Sequence, residues 1–452
     1  MAMYLTEDQL LVLIIKHIKE QKKTDFKNLI EELQPYDLAV IYKSLPEKHR
    51  HKYLLFMDQK KIAVLIQELE PELQIDILHK LGIEKSSNVM NLMENDDLAD
   101  LLNELSTDSA RPFLKSMEKD ESQTVKNLMS YPPETAGGIM TNRYVWIRDN
   151  YTVRDAVDKL KVFAEMAENL YYLYVLNDQK KLVGVVSYRD LLLASIEEKI
   201  EDIMFTRVIS VPADLDQEEV ATIIERYDFI SVPVVDDAGK LIGIITVDDV
   251  IDVFIKEANE DIEKLSATGK TIDFQTNAVT ASFRRLPWLV LLLFIGVISG
   301  SIISNFEGTL QKVVALAYFM PMIAGMTGNT GTQSLAVVVR GLVSNEIDGN
   351  TIRKLIIREL NVGLIIGVIC GLLIALIAFI WKGNLILGIV VGSSLLMTLI
   401  IGTLAGTIIP LILYKFNVDP AVASGPLITT LNDIFSLTVY FTMATIFISY
   451  LM

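Results

Sequence analysis

Cysteine is nearly absent from this 452-residue sequence: Cys370 is the only one. An intramolecular disulfide and a Cys-based metal centre are thereby excluded. Histidine is scarce too. His17, His49, His51 and His79 are the whole supply, and none forms a His-x-x-x-His pair, which argues against a zinc site. Base is outweighed by acid, for a formal net charge of −16. Such a surface repels phosphate backbones and favours cations, so nucleic acid is not an expected partner. The start reads as no secretory leader, because the apolar stretch at residues 10–15 is short and follows no basic region. No activated nucleophile beside a base is visible, so the chain does not read as an enzyme.

What is present divides near Ser282. Residues 283–452 carry nine Lys/Arg and six Asp/Glu, and the residues before them carry 32 and 51. An acidic front long enough for two domains is thus joined to an apolar back. In the back, stretches near residues 286–304, 313–342, 355–380, 385–413 and 421–451 have the length and low charge that a bilayer crossing needs. With the front inside, the inner flanks carry Arg284, Arg285, Arg340, Arg353, Lys354, Arg358 and Lys415, against Lys312 and Lys382 in the outer loops. That bias predicts a cytoplasmic N-terminus and, after five crossings, Met452 outside.

Two of the five spans hold polar groups that lipid does not tolerate. The second contains Met326-Thr327-Gly328-Asn329-Thr330-Gly331-Thr332-Gln333-Ser334, which reads as an interrupted helix beside water or as small-residue glue between helices. The last contains Asn432-Asp433. A carboxylate at that depth costs several kcal/mol by the lower estimates, so Asp433 should face an aqueous path or a partner cation. No Lys or Arg lies mid-span to serve as that cation. Glu359, near a span's start beside Arg358, reads as a snorkelling pair. Asp419-Pro420-Ala421-Val422-Ala423-Ser424-Gly425-Pro426 opens the last span, where it frees carbonyls for a cation path or caps a helix.

The front holds a repeat. Leu182-Val183-Gly184-Val185-Val186-Ser187-Tyr188-Arg189-Asp190-Leu191 recurs as Leu241-Ile242-Gly243-Ile244-Ile245-Thr246-Val247-Asp248-Asp249-Val250, and Met140-Thr141 and Met204-Phe205 open the two copies. Each copy reads strand, helix, two strands, helix. The pattern resembles a tandem CBS pair, a binding and regulatory module. Its Ser/Thr-x-x-Asp endings match the place where such pairs hold a ribose, with Tyr172 and Phe229 as stacking platforms. The same Ser and Thr also suit a helix cap. Ahead of the repeat, Leu29-Ile30-Glu31-Glu32-Leu33-Gln34-Pro35 is echoed by Leu65-Ile66-Gln67-Glu68-Leu69-Glu70-Pro71, which suggests short stacked helices in a small solenoid. After the repeat, Asp249, Asp252 and Glu257 or Glu260 fall near one helical face, and like charges there repel unless a hard cation or solvent screens them.

Taken in order, these features resemble the MgtE family of magnesium channels over essentially the whole chain. The segment Glu134-Thr135-Ala136-Gly137-Gly138-Ile139-Met140-Thr141 is similar to the family's signature ahead of its CBS pair. The fold class implied is a multi-domain membrane protein. It has an all-α superhelical N-domain (1–135), an α/β tandem CBS pair (136–255), an acidic linking helix (256–282) and a transmembrane pore domain of five helices (283–452). The resemblance implies a homodimer in the plasma membrane of a bacterium-like cell, its central pore built mainly from the second and fifth spans. It implies Asp433 as the pore carboxylate, with Gly328, Asn329, Thr330, Gln333, Ala423, Gly425 and Asn432 lining the path. Cytosolic magnesium is expected to close the channel through Asp96 and Asp100 in the N-domain. Asp216, Glu218, Asp228, Asp249 and Asp252 would serve in the CBS pair, and Glu257, Glu260 and Asp261 on the linking helix. An adenine nucleotide such as ATP would map to Tyr172, Arg189, Asp190 and Phe229. The alternatives are a CBS-regulated secondary transporter of another cation and a non-conducting membrane sensor.

Overall fold

The computed structural model describes residues 6–163, 169–268, 272, 276–344 and 349–451. The chain divides into two compact units, Met1–Phe254 and Ile255–Met452.

The first unit opens with ten short helices, from Glu7–Lys19 to Lys119–Leu128. Their starts are chemically marked. Thr6 and Asp58 accept from the backbone N–H three residues on, and Pro35 and Pro71 occupy first-turn positions that need no N–H donor. The two sequence echoes therefore occupy equivalent places: a helix end whose apolar residues (Ile30 and Leu33, Ile66 and Leu69) are buried, then a proline-led helix.

Six strands follow among the described residues: β1 (Tyr144–Arg148), β2 (Asn169–Leu176), β3 (Leu182–Ser187), β4 (Val211–Pro212), β5 (Ser231–Val235) and β6 (Leu241–Thr246). They form two three-stranded sheets, ordered β1-β2-β3 and β4-β5-β6, each with one parallel and one antiparallel pairing. The copies exchange their leading segments. Thr141, which opens the first copy, bridges to Ile244 on β6, and Phe205, which opens the second, bridges to Val185 on β3. This exchange explains the repeated glycines. A Cβ at Gly184 would stand 2.6 Å from the Met204 sulfur, and one at Gly243 would stand 2.6 Å from the Met140 sulfur and 2.9 Å from the Thr141 carbonyl oxygen. Gly243→Val should therefore lower stability by about 1–3 kcal/mol through overpacking against backbone that cannot retreat, read as a lower midpoint in denaturant unfolding. The core of the helical domain runs without a break into the second copy, through Leu128, Ala136, Met140 and Val220, whereas the first copy has its own core around Val145, Leu173 and Val186.

The second unit is helical. Ala278–Asn305, Gly349–Lys382, Leu385–Lys415 and Gly425–Ile446 are long and apolar enough to cross a bilayer, so the described residues hold four such helices where the sequence suggests five. The difference lies in Leu316–Ser344, a helix of 29 residues whose polar run lowers its hydropathy. That run does not interrupt the helix, contrary to the expectation. Thr327 and Thr330 donate back to the carbonyls of Ile323 (2.8 Å) and Met326 (2.9 Å), so their hydroxyls are satisfied within the ladder.

The linking helix also differs from its expected bounds. It starts at Val247, directly after β6, and ends at Leu265; residues 269–271 and 273–275 of the expected segment lie outside the described residues.

Candidate functional site

In the second unit, Leu316–Ser344 and Gly425–Ile446 meet along a seam of small residues. A Cβ at Gly328 would press on Thr429, and one at Gly331 would run into the Asn432 amide. Asn432 is fully buried and its Nδ2 donates to the Thr327 carbonyl at 3.3 Å. Gly328, Thr330, Ala423 and Asn432 are thus packed inside the chain, which is the role of glue between helices. Asn329 and Gln333 are exposed, one turn apart on one helix face, and Gly425 and Asp433 are half-buried. Asp433 stands eight residues beyond Gly425, about 12 Å along the helix. Among the described residues no basic side chain pairs with it. Glu359 pairs with Arg358 (2.9 Å), whose side chain is exposed, as the snorkelling reading expects; the carboxylate itself is 5% exposed and also accepts from the Ser334 hydroxyl (2.9 Å), so it is buried and satisfied.

In the first unit, a set of acids shares one electrostatic neighbourhood. Burial raises the Asp249 carboxyl to about 7, although Thr246 donates to it at 2.6 Å, and Asp248 and Asp97 push it further up. Asp97 is raised by burial and by Asp252 and Asp248, against a 2.5 Å bond from Gln67. Burial and then Asp97 raise Glu94. On the helix Asn95–Asn103, Asp97 thus shares the field of Asp249 and Asp252; Asp96 is buried in the first turn and Asp100 is exposed. Asn95 donates to the Asn142 side chain (3.1 Å) and Arg143 donates to the Met93 carbonyl ahead of the helix (2.7 Å), which joins this helix to the CBS pair. Among the described residues, no three His, Cys, Asp or Glu side chains are gathered tightly enough to hold a metal ion. The acids share a field but not a coordination sphere. Asp216 and Asp228 stand at opposite ends of the helix Gln217–Tyr227, about 18 Å apart, and so belong to different places. Asp216 caps that helix through the Glu218 N–H (2.8 Å), and Asp228 ends it with φ of 53°.

Within the second unit, the end of the linking helix carries Glu260, Asp261 and Lys264. Lys264 Nζ lies 2.5 Å from Glu260 Oε1 and 2.5 Å from Asp419 Oδ2. Burial tends to lower the Lys264 pKa, but Asp419 and Glu260 outweigh it and hold the ammonium well above its usual range. Burial raises Asp261, with further repulsion from Asp419, Glu257 and Glu260 opposed by Lys264. Nothing in the sequence pattern singles out Lys264.

Between the CBS sheets a cavity of about 320 Å³ is lined by Tyr172, Ser187, Asp190, Phe205, Arg207 and Phe229, among others. Three of the four expected nucleotide residues meet there. Arg189 is exposed and does not line the cavity, and Arg207 supplies a guanidinium instead. Ser187 is both a cap and a lining residue: its hydroxyl donates to Asp190 at 2.6 Å and accepts from the Asp190 N–H at 3.1 Å. Thr246 and Asp249, the corresponding pair of the second copy, do not line it.

Comparison with known proteins agrees with this architecture. The family profile described as "Divalent cation transporter" matches residues 320–443, the "MgtE intracellular N domain" matches 33–134, and CBS domains match 136–197 and 200–256. The chain is 58% identical to the magnesium transporter MgtE of Bacillus subtilis, covering 99% of each. It is 34% identical to that of Thermus thermophilus, covering 97% of this chain and 98% of the relative. The crystal structure of the soluble part of a magnesium transporter superposes with a TM-score of 0.54 at 37% identity, over 56% of this chain and all of the other. The cytosolic domain of the Mg2+ channel MgtE in complex with ATP gives 0.52 at 34%, over 54% and 99%. A helical N-domain, an exchanged CBS pair and a polar helical seam in the membrane part, matched over nearly the full length of such relatives, place this chain in the MgtE family of magnesium transporters.

Proposed function

We propose that the chain is a magnesium channel of the plasma membrane, its N-terminus cytoplasmic, which takes up Mg2+ and closes when cytosolic Mg2+ is abundant. The observation that carries the path is Asp433: a half-buried carboxylate on an apolar helix, with no basic partner among the described residues, while the helix packed against it, Leu316–Ser344, exposes the amides of Asn329 and Gln333. Magnesium gives up water reluctantly and prefers six oxygens in an octahedron. A carboxylate with amides and carbonyls around it holds a largely hydrated ion without trapping it. Two copies would bring two Asp433 side chains to one axis, and the polar Leu316–Ser344 helix would cross as a fifth span because its amides face water instead of lipid. Uptake of Mg2+ into liposomes holding the purified chain tests the reading, and its absence at every internal magnesium level refutes it.

Closure rests on the acids around Asp97, Asp249 and Asp252 and on those of the linking helix. Their oxygens suit magnesium, and burial leaves carboxyls that gain from a proton or a cation. An ion that binds them better when gathered shifts the population towards the gathered state.

The CBS cavity fits an adenine nucleotide such as ATP, with the base stacked on Phe229 or Tyr172, Asp190 accepting from the ribose and Arg207 near the phosphates. Phe229→Ala should weaken ATP binding about tenfold, in line with the usual worth of a base–aromatic stack. Titration calorimetry checks this, and unchanged affinity would move the nucleotide elsewhere.

A further inference from the structure

The helix Gly349–Lys382 buries a row of residues spaced four apart: Glu359, Gly363, Gly367 and Gly371. That spacing puts them on one face. The glycines bring the face against the backbone of Leu385–Lys415. A Cβ at Gly363 would stand 3.1 Å from the Ile400 Cα, and one at Gly371 would stand 2.8 Å from the Gly392 carbonyl oxygen. The two helices are thereby fixed to each other. Glu359 continues the row but reaches a third helix. Its oxygens are divided between two partners. Oε1 accepts from Arg358 Nε (3.1 Å) and Nη2 (2.9 Å), and Oε2 accepts from the Ser334 hydroxyl (2.9 Å) on Leu316–Ser344. The guanidinium offsets a charge that would otherwise be costly at this depth, and it leaves the second oxygen for Ser334.

Ser334 belongs to the packed side of its helix. Thr327, Thr330, Ser334 and Val338 are buried, whereas Asn329, Gln333 and Val337 are exposed. Each exposed residue stands one position, about 100° round the axis, from a buried one. Val338 and Leu342 also pack with Leu411, Ile352 and Ile356, but apolar contact is not directional and leaves the helix free to turn. A hydrogen bond to a charged acceptor has a direction and resists turning.

We infer that Glu359 is a positioning residue for conduction: through Ser334 it fixes the rotation of Leu316–Ser344, and with it the direction in which Asn329 and Gln333 meet the ion. The inference rests on the reading of the path given above.

The test uses the full chain with its only cysteine removed, Cys370→Ala, and has two readouts. A nitroxide attached at Val337→Cys, an exposed position in line with Asn329 and Gln333, reports rotation in nanodiscs through its accessibility to a water-soluble relaxing agent. Magnesium uptake into liposomes at low internal magnesium, measured without the label site, gives the maximal flux and the external level that half-saturates it. Ser334→Ala should change the accessibility at least about twofold and raise the half-saturating level about fivefold, below the tenfold that loss of a bond to a charged group implies, because packing opposes the turn. Glu359→Gln keeps an acceptor without the charge and should fall between Ser334→Ala and the parent. Ser334→Thr keeps the hydroxyl and should restore both readouts. Ser334→Ala with Glu359→Gln should be no worse than Ser334→Ala alone. A role in folding only would reduce the number of working channels, lowering the maximal flux and leaving the half-saturating level and the nitroxide unmoved. That result, additive effects of the two substitutions, or failure of Ser334→Thr to restore the parent's behaviour would each overturn the inference. If the parent conducts no magnesium while the nitroxide responds as stated, the reading of the path fails and the placement of the helix by Glu359 stands.

Discussion

Asp433→Ala abolishes magnesium uptake. The expected loss is at least about a hundredfold, because a carboxylate and a cation about 4 Å apart attract by about 4 kcal/mol per unit of charge at the effective dielectric of a protein surface, and the ion carries two charges. A water between them weakens this, yet the remainder still governs occupancy of the path. Asp433→Asn should fail nearly as badly, since the amide keeps the shape and loses the charge. The variant should still fold: Asp433 contributes no ion pair among the described residues, and the seam beside it is held by Asn432, Thr327 and the glycines. Isotope or dye-based uptake measures the effect, and elution as an intact particle with normal ATP affinity controls for folding. Uptake within a few-fold of the parent would remove Asp433 from the path.

Changing Glu94, Asp97, Asp249 and Asp252 together to their amides should leave the channel open at internal magnesium that closes the parent. Amides preserve size and, at Asp249, the bond from Thr246 that starts the helix. What they remove is the charge that a divalent cation bridges. The half-closing magnesium level should rise at least about a hundredfold, a bias of roughly 2.7 kcal/mol between the two populations. A second consequence has the opposite sign. Burial and mutual repulsion raise Glu94, Asp97 and Asp249, so in chelator the acids destabilise the first unit, and the amide variant should melt higher than the parent. Normal closure, or a lower melting temperature in chelator, would show that these acids are a solvated surface and not the switch.

Local chemistry was legible in the sequence, and long-range placement was not. A carboxylate in an apolar run, as at Asp433, is so costly in lipid that its sequence context alone marks it. The repeated Gly, Ser/Thr and Asp of the CBS copies are equally local, though the reason for Gly184 and Gly243 lies in Met204 and Met140 from the opposite copy's leading segment. The choice among Asp96, Asp97 and Asp100 was not readable, because three acids within one helical turn and a half differ only in what packs against them. Lys264 was invisible since its partner Asp419 lies 155 residues away. Arg207 went unnoticed for a related reason: it sits in an irregular segment ahead of β4 and reaches the cavity only once both sheets are assembled. The polar run 326–334 misled in the other direction. Its composition suggests a break, but Thr hydroxyls that bond back to the preceding turn leave the helix continuous.

The central claim, one chain that conducts magnesium and is closed by it, is tested most directly by uptake into liposomes as internal magnesium is raised from micromolar to tens of millimolar. Flux that is present at the low end and falls steeply as internal magnesium rises is the result predicted. Flux that is absent throughout, or that runs unchanged across the whole range, would contradict it.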